Sequence, residues 1–203
     1  ALPQRYMTPQ EYLKFERGQE QKHEYWNGQI YLMAGASARH HLITANVIAN
    51  LHFQLKGRNC SVYPNDMRLR VPATGLYTYP DALVVCGKAE FEDAEEDVLL
   101  NPTIIVEVLS KSTEHYDRGD KFRNYRTLPS LHEYLLIAQN EQRVEHYVRQ
   151  TNAEWLLSEV DDPGGTITLP AIACTLAMAD LYDKVTMPPR PHLLREAYVD
   201  YAP

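Results

Sequence analysis

The chain has 203 residues, of which 44% are hydrophobic and 23% are charged, so it has the length and composition of one globular domain. Its formal net charge of −7 argues against a histone-like protein that binds DNA through an excess of Lys and Arg. The charge does not exclude a nuclease, because an acidic metal site adds to the negative total. No apolar stretch approaches the roughly 18 residues of a membrane-spanning helix, and we expect no leader segment.

The three cysteines, Cys60, Cys86 and Cys174, are scattered along the chain and form no CxxC pair. This spacing argues against a disulfide framework and against a zinc knuckle. Two of the three lie in apolar surroundings, which is typical of small core residues. We therefore expect a reducing, cytoplasmic location.

The chain opens with signals for a short helix and a hairpin. The Thr8-Pro9-Gln10-Glu11 sequence has the form of a capping box with proline at the first helical position, and it predicts about two helical turns, through Phe15. In residues 25–33, Asn27-Gly28 suits the type I′ turn of a β-hairpin.

The strongest helix signal lies between Ser37 and about Lys56. Ile43, Val47 and Leu51 recur on one face, Ser37 is a suitable N-cap, and Gly57 is a suitable stop. The later elements are expected in this order: a strand pair or bent strand at 58–71, strands at 79–86 and 103–110 around an acidic loop or frayed helix at 88–101, a helix at 117–127, a strand at 133–138, a hairpin of 144–148 with 155–160, and a strand at 166–169.

This order of elements predicts an α/β (α+β) fold in which helices flank a mixed central sheet. We expect a single domain over 1–203, divided into an N-terminal helix and hairpin (1–36), a core (37–140), C-terminal strands (141–187) and a tail (188–203) that packs on a partner or stays loose. Exposed edge strands, together with Tyr182, Tyr198 and Tyr201, suggest a homodimer.

Two of the apolar, strand-like runs each contain one carboxylate: Asp81 in residues 79–86 and Glu107 in residues 103–110. Burying an unpaired charge costs several kcal/mol or more, so each carboxylate needs a partner. If the two strands are neighbours, both groups can meet at one end of the sheet, where their oxygens suit Mg²⁺ or Mn²⁺. Taken singly, Asp81 could instead be a turn residue after Pro80, and Glu107 could belong to a buried ion pair.

Three further residues are candidates for the same site. Lys121 lies four residues after Asp117, so it either forms an exposed salt bridge with Asp117 or points at the carboxylates. His40 shares the apolar stripe of its helix, as a core residue does, but it also begins the helix expected to pack on the sheet, where it could act as a base or support the site. Glu24 could reach the site or have a local partner at a strand edge.

Several blocks of sequence together resemble the Uma-type endonuclease family, long described as a domain of unknown function. The blocks are residues 24–35, Ser37 and His40, 79–81, 107–110, 112–113, Asp117-Arg118, Lys121, Tyr125 and 133–136. They cover nearly the whole chain in the expected order. The family is similar to the restriction-endonuclease-like superfamily with the PD-(D/E)XK pattern, and the resemblance implies a restriction-endonuclease-like fold.

The resemblance implies that Asp81 and Glu107 are metal ligands. Leu109 stands where the superfamily usually has its lysine, so the resemblance implies that Lys121 takes over that role, with Lys111 as a rival. The superfamily's acidic residue on the first core helix has no counterpart between Ser37 and Lys56, where His40 and Asn46 are the polar choices. This departure argues against two-metal chemistry more than against one-metal chemistry.

We therefore expect a Mg²⁺-dependent (or Mn²⁺-dependent) endonuclease that hydrolyses DNA phosphodiester bonds, with Asp81, Glu107, Lys121 and His40 as catalytic residues. The acidic net charge and the missing lysine favour an alternative, a catalytically weak or silent nucleic-acid-binding or assembly module. A carboxylate-only hydrolase such as a glycosidase is the least favoured. The sequence leaves open whether DNA or RNA is the substrate.

Overall fold

The computed structural model describes residues 6–151 and 154–188. The helices are α1 (Pro9–Glu16), α2 (Ala38–Leu55), α3 (Glu114–Tyr116), α4 (Phe122–Tyr125) and α5 (Met178–Leu181), and a π-helical turn (Asp117–Lys121) joins α3 to α4. The strands are β1 (His23–Trp26), β2 (Gln29–Leu32), β3 (Cys60–Pro64), β4 (Arg68–Val71), β5 (Leu76–Thr78), β6 (Ala82–Cys86), β7 (Val98–Leu99), β8 (Ile104–Leu109), β9 (Glu133–Ala138), β10 (Val144–Arg149), β11 (Trp155–Val160), β12 (Thr166–Leu169) and β13 (Cys174–Ala177).

The central sheet has six strands in the order β11-β10-β9-β8-β6-β3. Strands β8 and β9 are parallel, whereas their neighbours pair antiparallel. A second sheet has the order β2-β1-β5-β4-β7, and β12 pairs with β13 in a two-stranded sheet. The mixed central sheet with helices against it is the predicted architecture.

The central sheet is buried on both faces. On one face, the α2 residues Ile43, Val47 and Leu51 pack together with residues from β6, β8, β12 and β13 in one cluster. On the other face, side chains of β6, β8 and β9 pack against the second sheet and against Phe122 and Tyr125 of α4. Because both faces are covered, a carboxylate within β8 can reach water only near the ends of the strands.

The N-terminal predictions are confirmed in detail. Thr8 and Glu11 form both hydrogen bonds of the capping box. The β1–β2 hairpin turns at Asn27 and Gly28, which have φ values of 50° and 81°, as a type I′ turn requires. Ser37 caps α2 by accepting a hydrogen bond from the amide of His40, and Gly57 follows the helix with a φ of 77°.

Two predicted elements differ from the observed ones. Residues 58–71 do not form a strand pair: β3 pairs with β6 in the central sheet, and β4 pairs with β5 and β7 in the second sheet. The helix predicted at 117–127 begins earlier, at Glu114, and widens into the π-helical turn. Strands β5 and β13 and helix α5 were not predicted. Between residues 88 and 101 the expected loop is present, but it includes the short strand β7.

The expectation for the cysteines is wrong. Cys60 and Cys86 form a disulfide, because they lie directly opposite each other where β3 pairs with β6. The two cysteines are 26 residues apart in sequence, and only the register of β3 against β6 places them side by side. Cys174 is free and buried. The argument from the cysteines for a reducing compartment therefore no longer holds.

Of the three C-terminal tyrosines, Tyr182 lies among the described residues. Tyr182 is buried, and its hydroxyl lies within hydrogen-bond distance of the carbonyl oxygens of Ala138 and Arg143, so it belongs to the core rather than to an exposed surface. Tyr198 and Tyr201, with most of the tail, lie outside the described residues. Within residues 6–151 and 154–188, no helix combines the length and apolar character needed to cross a membrane.

Candidate active site

Asp81 lies where the pairing of β6 with β8 ends. The last pair of that ladder joins Ala82 to Val106, so one further step along both strands sets Asp81 opposite Glu107. The backbone amide of Val108 donates to Asp81 Oδ2 at 2.7 Å. A charged acceptor makes such a hydrogen bond stronger than a neutral one does. The carboxylate of Asp81 is thereby fixed against the strand that carries Glu107.

His40 holds the other oxygen of Asp81. It lies in the first turn of α2, and its Nε2 is 2.7 Å from Asp81 Oδ1. The N-cap Ser37 fixes the backbone of this turn. The structure therefore brings His40 and Asp81 into contact, and both Asp81 oxygens have a protein partner.

Glu107 is nearly fully buried in the middle of the central sheet. Its Oε1 accepts a hydrogen bond from the Tyr125 hydroxyl at 2.8 Å and lies 3.1 Å from Lys121 Nζ. Lys121 ends the π-helical turn, and Tyr125 ends α4. This helical segment packs on the face of the central sheet that also contacts the second sheet. The predicted pair of Glu107 and Lys121 is thus in direct contact.

Lys121 contacts three carboxylates. Its Nζ lies 3.1 Å from Glu24 Oε1, 3.1 Å from Glu107 Oε1 and 3.4 Å from Asp117 Oδ1. The contact with Glu107 is a hydrogen bond, whereas those with Glu24 and Asp117 are ion pairs. Thr78 also donates to Glu24. The π-helical turn faces both Asp117 and Lys121 inward, where they are buried.

The acids outnumber the cations at this site. Asp81, Glu24, Glu107 and Asp117 are all buried, and Lys121 is the lysine among them. Burial, with the charges of Asp117 and Asp81, raises the pKa of Glu107 above its ordinary value despite the opposing charge of Lys121. Burial likewise raises the pKa of Asp117.

The pKa of Lys121 moves in the same direction for a different reason. Burial alone would lower it, but the charge of Glu107, with those of Glu24 and Asp117, outweighs burial and raises the pKa well above its ordinary value. Lys121 therefore stays protonated at neutral pH.

The structure brings the predicted site residues together in two pairs, His40 with Asp81 and Lys121 with Glu107. Asp117 was not assigned to the site from the sequence, because spacing alone could not distinguish an exposed salt bridge from an inward-facing one. Glu24 lies in strand β1 of the hairpin and contacts Lys121. Its place in the site depends on how the two sheets pack against each other.

Two other polar candidates lie away from this cluster. Lys111 is exposed in the loop after β8, so it is not the counter-charge of Glu107. Asn46 donates to the carbonyl oxygens of Leu181 and Asp183 and therefore joins α2 to the C-terminal segment.

Within the part of the chain that the structure describes, no three His, Cys, Asp or Glu side chains form a ready-made metal cage. A pair of carboxylates remains a suitable donor set for Mg²⁺, which usually keeps several waters and takes only one or two carboxylates from the protein. The excess of buried negative charge around Asp81 and Glu107 fits a divalent cation.

The fold is restriction-endonuclease-like. The crystal structure of a protein from Anabaena variabilis, described as a "putative nuclease belonging to DUF820", matches with a TM-score of 0.71 over 89% of this chain and 99% of that chain. The two sequences are 20% identical, so this similarity bears on the fold.

The chain belongs to the Uma2 family, whose description is "Putative restriction endonuclease" and whose model matches residues 9–179. It is also similar to two uncharacterized proteins of Synechocystis sp. The protein sll1609 is 40% identical over 154 residues, which are 76% of this chain and 87% of that protein. The protein slr1290 is 36% identical over 151 residues, or 74% and 78%. The resemblance noted from the sequence is confirmed.

Proposed function

We propose that this chain is a Mg²⁺-dependent (or Mn²⁺-dependent) endonuclease that hydrolyses DNA phosphodiester bonds. Asp81 and Glu107 would hold the metal ion. The observation that carries the proposal is the cluster of four buried carboxylates, three of which contact the ammonium group of Lys121. The nuclease-like fold and the family description support the reaction class.

The charge of the cluster is the physical argument for a cation. With all four carboxylates ionised and Lys121 protonated, the cluster is strongly negative, and buried charge without compensation is costly. The raised pKa of Glu107 reflects this cost. Unless a positive charge in addition to Lys121 is near, the carboxyl group tends to keep its proton. A structural ion pair would need only one acid for Lys121, and here three contact it.

The side chains of the cluster have different roles in the proposed metal site. Asp81 is held by His40 and by the Val108 amide, so its carboxylate has one fixed orientation. Lys121 donates to Glu107 and would hold this carboxylate toward the proposed metal position. His40 is a positioning residue in this arrangement, because its contact is with Asp81. When bound, the metal ion would activate water and neutralise charge on the phosphate oxygens.

Lys121 has a second role in the proposal. Its Nζ donates to Glu107 and lies within ion-pair distance of Glu24 and Asp117, so it can approach a water or a phosphate oxygen when one carboxylate releases it. Protonation of that carboxylate would provide such a release. The ammonium group would then stabilise the charge that develops on the phosphate.

The same engagement of Lys121 favours a second candidate function. A lysine held by three carboxylates, with Leu109 at the superfamily's usual lysine position, suits a catalytically silent member that keeps the fold as a nucleic-acid-binding or assembly module. The two candidates differ in whether the cluster supports cleavage.

A cleavage assay tests the proposal. Supercoiled and linear DNA would be incubated with the protein in Mg²⁺, Mn²⁺ or EDTA. We expect cleavage that needs the metal ion and that falls more than about 100-fold in Asp81→Asn and Glu107→Gln, because even the outer partners of metal ligands are worth 10- to 100-fold.

Glu133→Gln is the matched control, because Glu133 is also a buried carboxylate in the central sheet but lies outside the cluster. Its cleavage should equal that of the wild type per folded molecule. Equal cleavage in all four proteins would contradict the metal-site assignment, and metal binding without cleavage would support the silent module.

A further inference from the structure

We propose that a polar cleft beside the carboxylate cluster binds the sugar–phosphate backbone of the nucleic acid strand. The cleft has a volume of about 910 Å³, and its walls include Arg39, Lys111 and the carboxamide side chains of Gln139, Asn140 and Gln142. This inference rests on the proposed function, since it assigns the path of the substrate past the same site.

A chain of hydrogen bonds joins the wall of the cleft to the candidate active site. Ser37 lines the cleft, donates to Gln139 Oε1 and accepts from the amide of His40, whose ring contacts Asp81. Lys111 lies four residues after Glu107, just beyond the end of β8, and Gln139 directly follows the neighbouring parallel strand β9. Clefts outside the carboxyl ends of parallel strands are common ligand sites.

Within residues 6–151 and 154–188, neither Arg39 nor Lys111 forms an ion pair with an acid. Arg39 donates to the side-chain oxygen of Asn140 at 3.1 Å, a neutral partner, and its Nε is buried without a hydrogen-bond partner. Lys111 is exposed and, among the described residues, makes no ion pair. Both side chains therefore keep their positive charge available for an anion.

The other charged groups that line the cleft are one arginine, Arg143, and two acids, Glu141 and Asp161. Arg143 Nε lies 3.0 Å from Glu141 Oε1, so its charge is largely compensated locally. Asp161 is the second acid in the wall. Glu141 and Asp161 also line the cleft that contains Arg39 and Lys111. The cleft therefore favours an anion whose charge is spread over several positions, with neutral polar groups between the charges. A phosphodiester backbone has this form, and neutral carboxamides can contact its sugars.

The N-terminus of α2 adds to the attraction. This helix has 18 residues, its first turn contains no acidic residue, and Arg39 lies within that turn. The positive end of the helix dipole and a cation in the same turn repel each other. Asp81 offsets part of this repulsion through His40, and a phosphate group in the cleft would offset the remainder at Arg39.

Fluorescence anisotropy of labelled single-stranded and duplex DNA tests the inference in EDTA, where binding is measured without metal-dependent turnover. We expect the double variant Arg39→Gln, Lys111→Gln to bind at least about 10-fold more weakly than the wild type at low salt. The slope of log Kd against log salt should fall by about 1.5, because each lost phosphate contact removes about 0.7 to 0.9.

The matched control removes two exposed lysines elsewhere, in Lys56→Gln, Lys88→Gln. Lys56 follows the far end of α2, and Lys88 follows the end of β6 opposite Asp81. The control should bind as the wild type does. An equal loss in both double variants would show attraction by total charge alone and would overturn the inference.

Two other outcomes would also overturn it: wild-type binding that the cleft variant leaves unchanged, and the absence of wild-type binding to either probe at low salt. A failure of the proposed function has a different signature. In that case Mg²⁺ supports no cleavage, while the anisotropy still distinguishes the cleft variant from its control.

Discussion

Glu107 and Glu133 lie in adjacent parallel strands of one sheet, and both are almost completely buried, yet their surroundings differ. Glu133 has one protonatable partner, His146, whose Nε2 is 2.5 Å from Oε2, and its Oε1 accepts from the amide of Ala171 at 2.6 Å. Glu107 shares one lysine with other acids. The first arrangement joins β9 to the β12–β13 region, whereas the second carries excess negative charge.

A buried carboxylate in an apolar strand therefore does not by itself mark a functional site. The informative feature is the ratio of acids to cations around it. Where each acid has its own partner, the group stabilises the fold. Where several acids share one cation, the site retains a need for positive charge that a proton or a metal ion can meet.

The largest expected effect comes from removing the shared cation. Lys121→Met in EDTA at pH 7 should lower the free energy of unfolding by about 3–5 kcal/mol, because it leaves several buried acids without a counter-charge. Urea denaturation measures this change. Lys56→Met, which removes an exposed lysine, should change stability by less than about 0.5 kcal/mol. A small effect of Lys121→Met would mean that the acids are not ionised together.

The corresponding change at the other carboxylate should act on stability alone. Glu133→Ala removes the acceptor of His146 and of the Ala171 amide, and leaving such groups unsatisfied costs about 1–3 kcal/mol each. The apparent affinity for Mn²⁺, measured on folded protein by calorimetry, should remain that of the wild type. A changed affinity would show that the two regions are not independent.

The pH dependence of stability sharpens the contrast. The folded-state pKa of Glu107 is raised from 4.5 to about 8, mainly by burial, so the unfolded chain loses this proton first. The stability that Glu107 contributes in EDTA should be fully present below pH 4.5 and should be lost as pH rises toward 8, by up to about 1.4 kcal/mol per pH unit.

Glu107→Gln should flatten this slope, because glutamine does not titrate. Urea denaturation at several pH values between 5 and 8 measures it for the wild type, for Glu107→Gln and for the control Glu133→Gln. A wild-type slope that persists in Glu107→Gln would assign the titration to other groups.

The smallest expected effect concerns the residue that positions Asp81. His40→Gln should weaken Mn²⁺ binding by about 10-fold, since outer partners of metal ligands typically contribute 10- to 100-fold. His40→Ala should weaken it further, because alanine offers Asp81 no hydrogen bond. If the two variants bind equally, the role of His40 is not to orient Asp81 through a hydrogen bond.

Local elements could be predicted from the sequence where a short pattern determines them. The capping box at Thr8, the Asn27-Gly28 turn and the N-cap at Ser37 depend on neighbouring residues, and all three are observed. The pair of Asp81 and Glu107 could be predicted because each interrupts an apolar run. Glu133 carries the same signal without joining the site, so the pattern is less specific than the cluster.

Features that depend on register or packing could not be predicted. The Cys60–Cys86 disulfide follows from the pairing of β3 with β6. Glu24 reaches Lys121 only because the second sheet packs over the first, and Asp117 faces inward because of the π-helical turn. The cleft likewise forms from Arg39, Lys111 and residues after β9, which are distant in sequence.

The most direct test of the account is calorimetric titration of the metal-free protein with Mn²⁺ at pH 7 in two buffers of different ionisation enthalpy. The account predicts saturable binding that releases a proton, because the ion competes with the proton that Glu107 retains. Asp81→Asn and Glu107→Gln should abolish this binding, whereas Glu133→Gln should preserve it. Absence of wild-type binding, or binding that both cluster variants retain, would contradict the account.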